Sequence, residues 1–158
     1  MQKCSEGVLK SHEGRLKKPG KNCKLENMDI VLCPSRELRA LDVSGKEFAL
    51  WLHFLKGDWP EFEEYLRRVA HGNCTLVYTS GPDSKDWHDR VDDVLIDIER
   101  EDVLTAWGEG GISECIEEFS DITRSYCKKV VLVVVDDDSS IEDQLRNQIL
   151  PELRSQYD

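Results

Sequence analysis

Six consecutive β-formers, Val130-Val131-Leu132-Val133-Val134-Val135, constrain this chain more than any other feature. An unbroken apolar strand of this kind suits burial on both faces, the position of a central strand in a parallel sheet. Asp136-Asp137-Asp138 ends the run, and a last helix is expected from about Ser140, with Ile141, Leu145 and Ile149 spaced by four. Parallel neighbours cannot be joined by tight hairpins, so helical crossovers must alternate with strands elsewhere.

The rest of the chain supplies that alternation. Asp29–Cys33 reads as a buried strand closed by Pro34. Ser44 and Glu47 form a capping box that predicts a helix through about Lys56, with Phe48, Trp51, Leu52 and Leu55 on one stripe. A second box, Asp58 with Glu61, predicts a helix that turns Phe62, Tyr65, Leu66 and Val69 inward and ends at Gly72. Cys74–Thr79 reads as a strand and Ser80-Gly81-Pro82-Asp83 as a turn, after which a short helix from Ser84 buries Trp87 and Val91. Val94–Ile98 and Val103–Trp107 read as two more strands, and the short connection between them admits an antiparallel pair. Ser113 is expected to cap a helix with Ile116, Phe119, Thr123 and Tyr126 inward. The expected fold class is therefore α/β: a single three-layer domain over residues 28–158, Rossmann-like or flavodoxin-like, with a five-stranded sheet and helices on both faces. The sheet is expected to be mostly parallel, with a mixed arrangement as the variant.

Composition narrows the function classes. A chain of 158 residues with 39% hydrophobic side chains suits one water-soluble domain. No apolar run approaches the ~20 residues of a membrane span, and no signal-peptide core stands at the N-terminus, so neither a membrane nor a secretory route is expected. The six cysteines, Cys4, Cys23, Cys33, Cys74, Cys115 and Cys127, show no Cys-x-x-Cys spacing, which argues against a zinc site. Reduced thiols and a cytoplasmic location are the expectation.

Charge is divided unevenly. Residues 1–28 hold seven basic and three acidic side chains, so residues 1–27 are expected to form a flexible basic tail; a shorter start at Met28 would leave the expected fold intact. Residues 83–121 hold fourteen acidic against three basic side chains, a balance of −11 that equals the net charge of the whole protein. Asp93, Glu99, Glu101, Asp102, Glu109, Glu114, Glu117, Glu118 and Asp121 are the expected interaction face. A field of this sign attracts cationic partners, and the expected function is a non-enzymatic, acidic protein-interaction module, of inhibitor or immunity type or a regulatory partner of a basic surface. Direct nucleic-acid binding is not expected outside the tail, because phosphate contacts need clustered Lys and Arg.

Ligands of open α/β sheets bind beyond the carboxyl ends of the strands. Asp83, Gly108, Gly110, Gly111 and Ser113 are ligand-binding candidates there, although the glycine segment matches no phosphate-loop pattern and contains Glu109. Asp136 and Asp137, with His88, are metal candidates. Helical spacing places His88 and Asp92 on one face, with Asp89 beside them, a set able to bind a divalent ion or move protons. The simpler account is a solvated helix face with local His–Asp pairing. No cofactor is expected from the main reading. The alternative is a metal-assisted hydrolase using Mg²⁺ or Mn²⁺, or a regulatory domain that binds a nucleotide or another small ligand at the strand-end edge.

The stretch Tyr78-Thr79-Ser80-Gly81-Pro82-Asp83, then Trp87-His88-Asp89-Arg90-Val91-Asp92-Asp93, Leu104-Thr105-Ala106-Trp107 and an acidic helix with Phe119, resembles an uncharacterised bacterial α/β domain family. The resemblance covers residues 74–120, and Gly108 stands where that family's pattern has a His after the Trp. It implies an α/β fold and carries no activity.

Overall fold

The computed structural model describes residues 29–35, 47–55, 58–70, 72–124, 129–135 and 139–157. The basic tail, Met28, Ser44, Tyr126 and Asp136–Asp138 lie outside the described residues. The described residues form nine elements: β1 (Ile30–Pro34), β2 (Phe48–Phe54), α1 (Phe62–Ala70), β3 (Cys74–Ser80), α2 (Ser84–Asp97), β4 (Leu104–Trp107), α3 (Ile112–Thr123), β5 (Lys129–Val135) and α4 (Ser139–Tyr157). The five strands form one sheet in the order β1-β5-β2-β3-β4, and every pairing is parallel. The fold is a three-layer α/β sandwich of Rossmann or flavodoxin type. The mixed variant does not occur.

β5 lies inside the sheet, between β1 and β2, and Val130 to Val135 are fully buried. Alternate residues feed opposite layers. Val131, Val133 and Val135 join the core under α1 and α2, while Val130, Leu132 and Val134 join the core under α3 and α4. All four tryptophans are packed into these layers, none more than 4% exposed. Cys33, Cys74 and Cys115 are buried free thiols. Among the described residues no helix is long and apolar enough to cross a membrane.

Two expected elements differ. Residues 48–54 form a central strand, not the continuation of a helix from Ser44. The stripe of Phe48, Trp51, Leu52 and Leu55 is a subset of a longer run in which Ala49, Leu50 and Phe54 are equally apolar. All seven strand residues are buried, so there is no polar face for a helix to show to water. Residues 94–97 continue α2 instead of forming a strand. Val91, Val94, Leu95 and Ile98 keep the helical spacing toward the core, and Ile96 projects into solvent at 57% exposure. The strand count stays at five because the two corrections offset one another. α3 begins at Ile112 with Gly111 as N-cap, two residues ahead of the expected Ser113 cap.

The topology places the carboxyl ends of β2 and β5 at the switch point. β2 leads to α1 on one face and β5 leads to α4 on the other, which is the position where open α/β sheets hold ligands.

Candidate functional site

Because all strands run parallel, the turns after β3 and β4 share one rim. Gly81 adopts φ +97° and Asp83 φ 61°, which turns the chain sharply from β3 into α2. A Cβ on Gly81 would overlap the Phe54 carbonyl, so the turn is laid directly on the end of β2. Gly81, Pro82, Asp83, Ser84, Lys85, Asp86 and Glu109 line an open depression of about 440 Å³. Its lining carries three carboxylates, Asp83, Asp86 and Glu109, and one lysine, Lys85.

The glycine segment is occupied by packing. The Gly108 N–H donates to the Thr79 carbonyl, and the Gly108 carbonyl accepts from Ser84 Oγ at 2.8 Å. Its Cα is pressed against the Tyr78 hydroxyl and Cys115 Sγ. The Gly111 N–H donates to Glu114 Oε1 at 2.8 Å, so the α3 N-terminus is capped by its own carboxylate where an anion would sit. Ser113 Oγ donates to Glu152 Oε1 at 3.2 Å and ties α3 to α4. Tyr78 donates to Glu118 Oε1 at 2.6 Å, and burial pushes the Glu118 carboxyl upward from its ordinary range.

His88 lies on the inward edge of α2, 3% exposed. Its ring packs on Trp107 with centroids 4.6 Å apart, and Nε2 lies 3.1 Å from Thr105 Oγ1. Asp89 Oδ1 stands 3.4 Å from Nδ1 and Asp92 Oδ2 3.7 Å from Nε2. The three side chains can each offer one donor atom within 4.8 Å of the others, and both carboxylates reach solvent. The i, i+4 spacing anticipated the His88–Asp92 approach. Thr105 and Trp107 come from the neighbouring strand and carried no local signal.

A second polar set was missed. Trp51 Nε1 donates to Ser80 Oγ at 2.7 Å, and Ser80 Oγ lies 2.7 Å from His53 Nδ1. An indole N–H only donates, so Ser80 Oγ accepts from Trp51 and shares a second hydrogen bond with Nδ1 whose direction follows the imidazole tautomer. Burial lowers the His53 pKa to about 4, which keeps the ring neutral near pH 7. His53 and Ser80 sit at the carboxyl ends of β2 and β3, next to the topological switch point between β2 and β5. Reading residues 48–54 as a helix hid the pairing of His53 with Ser80.

Twelve of the fourteen acidic side chains of residues 83–121 are exposed, and Asp92 and Glu118 are half-buried. They form no single flat face. Asp86, Asp89, Asp93 and Asp97 lie on α2, Glu99, Glu101 and Asp102 on the turn below β4, and Glu109 and Glu114 above it. Glu117 and Asp121 lie on α3, across the sheet. The carboxylates thus wrap the β4 edge from both faces.

The three cations of this segment are engaged locally. Lys85 pairs with Asp89 at 3.4 Å, and Arg90 lies over Trp87 at 4.3 Å. The Arg100 guanidinium donates to the carbonyls of Ala70, Gly72 and Cys74 and pairs with Asp102. Asp93, Glu99, Glu101 and Glu117 have no cationic partner among the described residues. Asp136 and Asp137 lie outside the described residues.

Compared with protein-family models, curated proteins and solved structures, the chain matches none.

Proposed function

We propose that the protein is an acidic interaction module that docks a basic protein surface on the rim around β4, without chemistry of its own. The observation that supports this reading is the wrapping of exposed carboxylates around one sheet edge, of which Asp93, Glu99, Glu101 and Glu117 have no cationic partner among the described residues, while Lys85, Arg90 and Arg100 are engaged in local contacts. Repulsion within such a rim is relieved when a cationic partner binds, and the long-range field speeds encounter.

The test separates the rim from net charge. One variant neutralises Asp93, Glu99 and Glu101 to Asn or Gln; the other neutralises Glu61, Glu63 and Glu64 beside and on α1, an equal change in charge. Binding to a labelled Lys/Arg-rich peptide is followed by fluorescence anisotropy at low and high salt. The rim variant is expected to weaken binding on the order of tenfold at low salt and to flatten its salt dependence. Equal weakening by the two variants would reduce the effect to net charge and remove the reading.

A second reading rests on His53. A neutral imidazole beside Ser80 at the topological switch point fits a regulatory domain that binds a nucleotide or another small ligand there. A thermal-shift series with nucleoside mono-, di- and triphosphates tests it, and an unmoved melting temperature counts against it.

A further inference from the structure

We propose that His88, Asp89 and Asp92 form a binding site for one first-row divalent transition ion, at the edge of α2 where the helix meets β4, and independent of basic-partner docking. The imidazole is the fixed ligand. Trp107 packs on its face, Thr105 Oγ1 holds Nε2 at 3.1 Å, and the ring is 97% removed from solvent (3% exposed). A histidine ligand needs this kind of lateral support to keep its orientation when the metal leaves. The carboxylates are the adjustable ligands, at 56% and 41% side-chain exposure.

The distances suit capture. The three donor atoms lie within 4.8 Å of one another. Donors on a tetrahedral ion with bonds of about 2.1 Å stand roughly 3.4 Å apart, so the carboxylates need to turn by about an ångström. The competing group is Lys85, 3.4 Å from Asp89 Oδ2. That pair is exposed at both ends and is therefore weak.

The surrounding balance of −11 over residues 83–121 raises the local cation concentration. An imidazole in the set selects zinc, cobalt, nickel or copper over calcium and magnesium, which prefer all-oxygen shells. The remaining positions open to solvent and take water or a side chain from another molecule.

The experiment uses the whole chain, stripped with a chelator and titrated with Co²⁺ while the visible spectrum is recorded. One Co²⁺ per chain is expected, with ligand-field bands of a nitrogen and oxygen shell. Asp89→Asn and Asp92→Asn, isosteric changes at side chains that reach solvent and leave the metal-free melting temperature in place, each weaken binding on the order of tenfold or more. Asp93→Asn removes the same charge one residue away and is expected to leave the affinity within about twofold, because screening by water flattens the field over that distance. The proposal is overturned by a failure to saturate up to about 1 mM, an effect of Asp93→Asn as large as that of Asp92→Asn, or a near-ultraviolet thiolate-to-cobalt band placing the ion on cysteine.

Discussion

His53 and Ser80 are paired across two central strands, with Nδ1 2.7 Å from Oγ and the Trp51 indole completing the hydroxyl's contacts. The pair couples stability to pH. His53 has a folded pKa of about 4 against an ordinary value of 6.5, so the unfolded chain takes up the proton first. The stabilisation is complete above pH 6.5 and is lost as pH falls toward 4. A difference of this size corresponds to roughly 3 kcal/mol at its limit, from 1.36 kcal/mol for each pKa unit. Urea midpoints measured from pH 7.5 to 4 should fall over that window. His53→Asn, which keeps an acceptor for Ser80, should flatten the part of the fall that other groups do not share.

Arg100 should behave as a structural clamp. Its guanidinium holds the carbonyls of Ala70, Gly72 and Cys74 while Asp102 neutralises it, and that pairing draws the Asp102 carboxyl below its ordinary range. Arg100→Ala leaves the carbonyls at the end of α1 and the start of β3 without this donor. Chemical denaturation should report a loss of about 2 kcal/mol, and Arg100→Lys should recover only part of it because an ammonium cannot span the same fork.

Two glycines should respond oppositely to alanine. Gly81→Ala forces a Cβ into the Phe54 carbonyl at a residue with φ +97°, and a loss of about 3 kcal/mol or failure to fold is expected. At Gly72 the added Cβ meets only the Val69 carbonyl oxygen at an ordinary 3.6 Å. Its thermal midpoint should move by less than about 1 kcal/mol equivalent.

Two tyrosines make a similar contrast. The Tyr65 hydroxyl is buried with no hydrogen-bond partner among the described residues, and burial raises its pKa. Tyr65→Phe removes an unsatisfied group and should be neutral or stabilising by about 1 kcal/mol. Tyr78→Phe removes the 2.6 Å bond to Glu118 and should destabilise by about 1 to 2 kcal/mol. Differential scanning calorimetry of the two variants checks both signs.

What the amino-acid order determined by itself was the layered α/β class, through the β5 run and the helical stripes of α1, α3 and the first part of α2. Those signals are local: a strand buried on both faces needs an unbroken apolar run, and a helix on a sheet needs one stripe. The approach of His88 to Asp92 was equally local, since one helical turn sets it. The identity of residues 48–54 was not, because a continuous apolar run satisfies a helical stripe and a buried strand together, and burial inside the sheet selects the strand. The same holds for Val94 to Asp97, whose apolar residues serve either period until α2 packs against β3 and β4. Tertiary structure alone joined His53 to Ser80 and brought Thr105 and Trp107 to His88, because each pairing crosses strands whose order is set by packing. It also turned one acidic stretch of sequence into a rim around an edge, since α2 and α3 cover opposite faces and the sheet ends between them.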